Sequence, residues 1–494
     1  MKLREYLSKY NNGKKLKDIK ITNITDIYQD LDKNGIFVSI NGKSSCEINN
    51  IMHALSKSPS MIITSNQSKQ FNNNKIPFIN VENPKMELAR LLNTENKEFE
   101  HQPMFIGITG TNGKTTTTYL LYQYLKRENY DVLLIGTNWI YSYFKMEEVI
   151  EETNNTTPTL SLLYKYLRTY KNEYDYVIME ISSQGIEEGR IEGLEFDVIG
   201  LTNLSAEHLD YHHTITEYRI AKSKLFSHLR KPWWDGRIIL NHDDDNDNYS
   251  YFMNQSMGTL YTYGLKDGMI KAKIIKQSSK GTSFIIFDHN QKYEINTNLI
   301  GEFNVYNILM VWCIVKALSL NTKSLLNFLS KKLEIPGRMQ VVEKNGRHFI
   351  IDFAHTSKAV DSVLDTVYKL KENNQIFTVI GCGGMRDKQK RPVIGEIVTR
   401  KSDFAIFTED NSRDENTTDI INDITENLDC HNYIIILDRE NAIKEAYKLS
   451  RENDIILILG KGVENYQIRK NNELVQYSDF KSVEKIGQDY EYLV

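Results

Sequence analysis

Phosphate chemistry is written most plainly in Gly110-Thr111-Asn112-Gly113-Lys114-Thr115-Thr116. The stretch follows the apolar run Met104-Phe105-Ile106 and precedes a helical pattern with Leu120, Leu121, Tyr124 and Leu125 on one face. A strand, a glycine-rich turn and a helix N-terminus make an anion site, because backbone N–H groups converge on the turn and the helix dipole favours negative charge. Lys114 reaches terminal phosphates, and the Thr115 hydroxyl suits Mg²⁺. Strict phosphate-loop spacing is not met, since Ile108 stands where the first glycine belongs. A plain surface turn does not account for this context, so ATP is the expected nucleotide. A nucleotide site alone names no reaction.

Three polar clusters follow. Asn155-Thr156-Thr157-Pro158 reads either as a helix cap with an early proline or as a ligand segment. Glu180 ends the apolar run from Tyr176 and places a carboxylate where a Mg²⁺ shared with ATP would sit. Thr202-Asn-Leu-Ser-Ala-Glu-His208-Leu-Asp-Tyr-His212 begins just past another strand. Its His208 is open to two readings, metal ligand or hydrogen-bonded structural residue.

The elements that must position these groups are those of an α/β protein. A chain of 494 residues predicts about three domains. From about 101 to 335, strands such as 175–180, 196–201 and 237–240 alternate with helical patterns at about 216–229 and 304–318. After Ile335-Pro-Gly-Arg338 a second series begins, with strands at 349–352, 376–380, 404–407, 433–437 and 455–459. Strands apolar throughout predict parallel sheets covered on both faces, which take ligands beyond the carboxyl ends of their strands. Residues 1–100 predict a small mixed α/β domain, with short strands at 35–40 and 61–64.

A net charge of −4 points to neither nucleic acid nor a membrane surface. The four cysteines lack C-x-x-C spacing, so no zinc site is indicated. No apolar stretch approaches the roughly 20 residues that span a bilayer, and the N-terminus lacks an apolar signal core. The expectation is a monomeric cytoplasmic protein.

Taken in order, the motifs resemble the Mur ligase family, ATP-dependent amino-acid ligases of peptidoglycan precursor synthesis. The pieces that carry the resemblance are GTNGKTT (110–116), NTTP (155–158), MEISS (179–183), TNLSAEHLDYH (202–212), YRIAKSKLF (218–226), GEFNVYN (301–307), PGRM (336–339), DFAHTS (352–357), GCGGMRDKQKRP (381–392), DNSR (410–413) and GKGVENYQ (460–467). The resemblance is strongest to the tripeptide-forming branch, which joins a diamino acid to UDP-N-acetylmuramoyl-L-alanyl-D-glutamate. It implies an acceptor domain (1–100), a central ATP-binding domain (101–335) and a C-terminal Rossmann-like, amino-acid-binding domain (336–494). ATP would convert a carboxylate to an acyl phosphate that an amine attacks, so cations matter more than a nucleophilic side chain.

The resemblance also implies roles. Lys114, His208 and Lys222 would be catalytic; Thr115, Glu180, His208 and Lys222, the last as its carbamate, would hold Mg²⁺. Asn304, Arg338 and Asp352 would lie near the nucleotide, and His355 would face the site. Asn155, Thr156, Thr157, Ser183 and Arg190 would bind the acceptor. Arg391, Asp410, Asn411, Ser412, Arg413, Gly460 and Glu464 would read the amine. Arg413 has a physical rationale for favouring meso-diaminopimelate over L-lysine, because its planar fork suits the distal carboxylate that lysine lacks.

Departures concentrate in the acceptor region. The usual Asp-Ser-Arg is Asp26-Ile-Tyr28, and Gly42-Lys-Ser-Ser-Cys-Glu47 lacks the Asp-Gly-His segment. Ser-Ser-His has become Ser182-Ser183-Gln184, and the glutamine two residues before Arg190 is Glu188. Val463 replaces a histidine and Ser412 a proline. An L-lysine-adding enzyme and a paralogue using a different carboxylate acceptor are the alternatives. A folylpolyglutamate-type ligase would not explain DNSR or GKGVENYQ, and a nucleotide-driven switch would need neither the Lys222 motif nor the last domain.

Overall fold

The computed structural model describes residues 21–40, 45–65, 76–95, 103–137, 139–153, 155–169, 174–230, 236–278 and 280–487. The lysine-rich N-terminal segment and residues 42–44 of the altered Asp-Gly-His stretch lie outside them. The fold is three-domain α/β, and its elements group into two compact units, each taken by itself.

The first unit comprises residues 1–107, 125–197 and 224–231. Its first sheet is parallel, in the order Ile24–Thr25, Ile36–Val38, Met61–Thr64, Phe78–Asn80. Phe37, Ile51 and Ile62 form its core with Leu31 and Ala54. The unit also holds Tyr176–Glu180, which runs parallel to Val132–Ile135; the antiparallel strands Trp139–Phe144 and Glu147–Glu152 follow outward. Tyr176–Glu180 is buried along its whole length, as a strand covered on both faces must be.

The second unit comprises residues 108–124, 198–223 and 232–494. Val198–Leu201, Arg237–Asn241 and Thr259–Gly264 pair in parallel, and Ile270–Ser278, Gly281–Asp288 and Gln291–Thr297 continue the sheet, the last three antiparallel to one another. These three strands were not expected from the sequence. Helix Glu302–Ala317 is buried almost all round, which its unbroken apolar run requires.

The C-terminal sheet has the order Gln340–Lys344, Arg347–Asp352, Ile455–Leu459, Ile376–Ile380, Phe404–Phe407, Tyr433–Ile435, parallel except for its first pair. Alternate residues feed two separate cores: Ile350, Ile380, Phe407 and Leu457 on one face, and Ile351, Val379, Ile406 and Ile458 on the other. Register aligns Asp352 with Leu459, Leu459 with Ile380, and Ile380 with Phe407. Four strands therefore end on one row, and the loops beginning at residues 353, 381, 408 and 460 leave from the same edge.

Candidate active site

The phosphate loop sits between the strand ending at Thr109 and helix Lys114–Arg127. Gly110 (φ +141°) and Gly113 (φ +88°) adopt conformations closed to other residues. Space closes them too: a Cβ would stand 1.9 Å from Thr202 Oγ1 at Gly110 and 2.4 Å from Asn307 Oδ1 at Gly113. The loop is held from the 202–205 segment. Thr111 N–H donates to the Asn203 carbonyl (2.8 Å), Asn112 N–H to Asn203 Oδ1 (3.1 Å), and Thr202 Oγ1 to the Asn112 carbonyl (2.6 Å). Lys114 Nζ donates to the carbonyls of Gly110 and Thr111, both at 2.9 Å. Arg338 Nη2 donates to Thr115 Oγ1 at 3.0 Å. Thr116 is buried. Asn304 donates to the Ile300 carbonyl (2.8 Å) and accepts from Asn307 (3.1 Å). The Asp352 carboxylate accepts from Met339 N–H (2.7 Å) and Ala354 N–H (2.8 Å), fixing the chain on either side of its strand.

Beside the loop is a cluster of charges. Lys222 is 1% exposed; its Nζ donates to the Gly110 carbonyl at 3.0 Å and lies 4.5 Å from the Tyr218 ring centre. Burial and the neighbouring Lys114 charge push its pKa well below the ordinary lysine value, against the pull of Glu207. Glu207 is the hub, with His355 Nε2 at 3.4 Å and His208 Nε2 at 3.8 Å. Burial would raise the Glu207 carboxyl, but the His355 hydrogen bond and the charges of His208, His355 and Lys114 carry it below the usual carboxylate range. His208 takes φ +57°, a left-handed conformation that costs a non-glycine residue energy and clusters at functional sites. Its pKa falls to about 4, through burial first and then the Lys222 and Lys114 charges, with Glu207 opposing. Its side chain is half open to solvent, which blunts that shift.

In the first unit, Glu180 accepts from Thr137 N–H (3.2 Å) and Thr137 Oγ1 (2.9 Å). Thr137 Oγ1 also bonds Thr156 Oγ1 at 3.0 Å, and the Asn155 carbonyl accepts from Thr153. Thr157 Oγ1 donates to the Glu180 carbonyl (3.1 Å) and accepts from Ser182 N–H (2.9 Å). Ser182 caps the short helix Ser183–Glu187, in which Ser183 is buried. Arg190 pairs with Glu188 and with the Thr157 carbonyl. Asp26, in the altered Asp-Ser-Arg position, accepts from the Ser161 hydroxyl. Among the described residues, no three His, Cys, Asp or Glu side chains gather into a ready metal cage.

The C-terminal loops are cross-braced. Lys461, fully buried, donates to Glu464 Oε2 (2.8 Å) and Asn411 Oδ1 (3.1 Å), and Asn411 Nδ2 donates to the same Glu464 oxygen (2.9 Å). Asp410, beside buried Ser412, has a carboxyl that burial would raise but that the Lys461 and Arg439 charges hold low. Gly460 takes φ +111°, and a Cβ there would stand 2.7 Å from Asp410 Oδ2. Arg413 takes φ +52°, and its Nη1 donates to the carbonyls of Gly384 (3.0 Å) and Asn411 (3.2 Å). Arg439, buried with Asp479 (2.8 Å), donates to the carbonyls of Leu459 (2.8 Å) and Glu409 (3.3 Å), the roots of the two loops. Arg391 is held within the loops of the same region. It is fully enclosed, donating to Glu415 (2.9 Å), Asp423 (2.7 Å) and the Gly383 carbonyl (3.2 Å), so it braces the 383–415 loops from within.

Residues 108–315 match the Mur ligase middle domain, and residues 337–462 match the Mur ligase glutamate ligase domain. The chain is 34% identical over 82% of its length to a UDP-N-acetylmuramoyl-L-alanyl-D-glutamate–2,6-diaminopimelate ligase of Geobacillus kaustophilus, covering 83% of that protein. It is 33% identical over 96% of its length to a UDP-N-acetylmuramyl-tripeptide synthetase 2 of Oceanobacillus iheyensis, covering 94% of it. The chain belongs to the Mur ligase family. A solved diaminopimelate-adding ligase of this family superposes with a TM-score of 0.65 at 25% identity, over 96% of both chains. A Mur ligase from Thermotoga maritima, solved with ADP, shares the fold (TM-score 0.64, 18% identity, 90% of this chain and 95% of that one). As a Mur ligase, the protein forms amide bonds at the expense of ATP.

Sequence reasoning left four residues of this Mur ligase without a role: Glu207, Asn307, Lys461 and Arg439. The first three lie inside quoted motifs, and a count of charges within each motif would have flagged Glu207 and Lys461. Arg439 lies in none.

Proposed function

We propose that the chain joins a diamino acid, with meso-diaminopimelate favoured, to UDP-N-acetylmuramoyl-L-alanyl-D-glutamate in peptidoglycan precursor synthesis. Relatives named for this reaction match most of its length. Its three parts would divide near residues 100 and 335, and it would act as a cytoplasmic monomer.

The observation that carries the chemistry is the crowding of cations around the phosphate loop. Lys114, Lys222 and Arg338 stand within one small region, where Glu207 faces the two lysines and Asp352 faces Arg338. Such a site favours a substrate that brings negative charge. When bound, ATP with Mg²⁺ supplies the phosphoryl group that makes the acceptor carboxylate reactive. Thr115 offers Mg²⁺ a hydroxyl, and His208, kept neutral by its low pKa, offers a ring nitrogen. Glu180 would supply the carboxylate.

Lys222 fits its expected modification. CO₂ reacts only with an unprotonated amine, and burial beside Lys114 shifts Lys222 toward that form. The N–C bond that forms gives a carbamate and releases one proton, converting a neutral amine into an anion among cations. Asn155, Thr156, Thr157, Ser183 and Arg190 would hold the acceptor. Arg391, Asp410, Asn411, Ser412, Arg413, Gly460 and Glu464 would read the amine.

Purified protein with ATP and Mg²⁺, assayed for phosphate release across a matrix of carboxylate acceptors and diamino acids, tests the reading. Amine-dependent release with the UDP-muramoyl dipeptide, and a product mass equal to their condensation, is expected. Release only with a different acceptor would overturn the assignment.

A further inference from the structure

Strand Tyr176–Glu180 runs out at its carboxyl end into helix Ser183–Glu187, the kind of edge at which α/β sheets take ligands. The turn that closes the helix carries a charge pair. Gly189 adopts φ +64° between Glu188 and Arg190. Arg190 Nε and Nη2 both donate to Glu188 Oε2, at 2.8 and 2.5 Å, while Nη1 donates to the Thr157 carbonyl at 2.8 Å. The other carboxylate oxygen of Glu188 accepts from Gln184 Nε2 at 2.8 Å. Arg190 is 14% exposed and Glu188 37%.

Thr157 is itself tied to Ser182 and Glu180, so the fork of Arg190 belongs to the segment read as acceptor-binding. The cation nevertheless carries its own counter-ion. Gln184 and Glu188 are two of the positions where the chain departs from its family, and both bear on this one arginine. Glutamine at 188 could offer an amide oxygen to the same N–H groups while leaving the positive charge uncompensated. Glutamate cancels it.

We propose that Glu188 is a specificity-determining residue that occupies Arg190 and so weakens capture of an anionic acceptor. An incoming carboxylate must displace Glu188, exchanging one charge-assisted bond for another, and it approaches a like charge while doing so. Where the arginine is uncompensated, the same carboxylate gains the bond outright. Acceptor engagement in this chain then depends on Arg190 leaving Glu188, whereas nucleotide and amine binding do not. The inference rests on the ligase reading above and deepens it.

The test is steady-state kinetics of the full chain with UDP-N-acetylmuramoyl-L-alanyl-D-glutamate, ATP and meso-diaminopimelate, each varied in turn. Glu188→Gln should lower the acceptor KM about tenfold, the factor carried by about 1.4 kcal/mol. The KM values for ATP and amine should stay where they are. The lowered acceptor KM should rise with salt more steeply than that of the wild type. Glu188→Asp, which keeps the charge, should behave as wild type, and Glu188→Ala should move the acceptor KM in the same direction as Glu188→Gln. An acceptor KM unchanged or raised in both neutral variants overturns the proposal and leaves the ligase reading standing. Absence of turnover with this acceptor in the wild type overturns both.

Discussion

Lys222 and Lys461 are both fully enclosed lysines of the second unit, yet their surroundings differ in one respect. The Lys461 ammonium meets the carboxylate of Glu464 and the amide of Asn411. The Lys222 nitrogen meets a backbone carbonyl, the Thr109 hydroxyl and the Tyr218 ring, with another lysine's charge nearby. Burial with a counter-ion makes a strut. Burial without a carboxylate in contact, beside another lysine's charge, pushes the pKa down and favours the neutral amine. The contrast extends outward: Arg391 and Arg439 each face carboxylates, whereas Lys114 and Lys222 share Glu207. The loops at 410–413 and 460–464 are cross-braced in advance by such pairs, and the two lysines of the phosphate site have one carboxylate between them.

The largest effect that would break this contrast is at Lys222. Lys222→Ala should cut ligation by about a thousandfold or more, equivalent to about 4 kcal/mol of barrier, without lowering the melting temperature. Added short carboxylates should restore part of the activity. Full turnover in the variant, or in wild type under rigorously CO₂-free buffer, would place Lys222 with the struts. The mirror experiment is Lys461→Met, which strands Glu464 and should cost about 3–5 kcal/mol in urea unfolding. A neutral result there would show that the counter-ion is not what distinguishes the two lysines.

Arg413→Ala sharpens the comparison by asking whether the stiff loops discriminate. Competition between meso-diaminopimelate and L-lysine at equal concentration, scored by product mass, should lose about 2–5 kcal/mol of preference, roughly 30-fold to several thousand-fold in kcat/KM. The loss should come from poorer use of diaminopimelate. Equal incorporation by the wild type would remove the assignment of that amine.

The smallest effect is in pH. His208 has a folded pKa of about 4 against an unfolded value near 6.5, so the folded state favours the neutral ring. Its contribution to stability is present above pH 6.5 and is lost as pH falls from there through about 4. Glu207, depressed in the folded state, adds a loss that begins only below its unfolded value of about 4.3. Denaturant midpoints measured from pH 7 to 4 should therefore decline modestly in wild type and less in His208→Asn. An unaltered slope in the variant would mean that solvent already governs the ring.

Much of the fold was legible because burial on both faces leaves a direct mark. Ile455–Leu459 is apolar at every position and Ile376–Ile380 at all but Thr378, and their bounds are those read from the sequence. Ile270–Ser278 and Gln291–Thr297 were missed, since each mixes charged residues with apolar ones and is only partly buried. Helix 216–229 was read as continuous, but the α-helix Ile215–Ser223 gives way to a tighter 3₁₀ turn at Lys224–His228. At the site, the glycines and Lys114 were visible because a phosphate loop is local in sequence. The pairing of Glu207 with His355 joins distant segments, and no spacing rule connects them. The partners of Arg391, Glu415 and Asp423, were hidden for the same reason, since a later loop and helix supply them.

The ion pair between Arg439 and Asp479 has a genetic consequence. Arg439 steadies the roots of the loops that begin at 408 and 460, but its bidentate counter-ion comes from Asp479, at the start of the last described helix, Asp479–Lys485. A frameshift or premature stop codon just upstream of Asp479 would leave every sequence motif of the enzyme intact. It would also strip the buried Arg439 guanidinium of the carboxylate that bonds it directly. Alleles truncated there should therefore behave as nulls, however complete the motifs look when the gene is read.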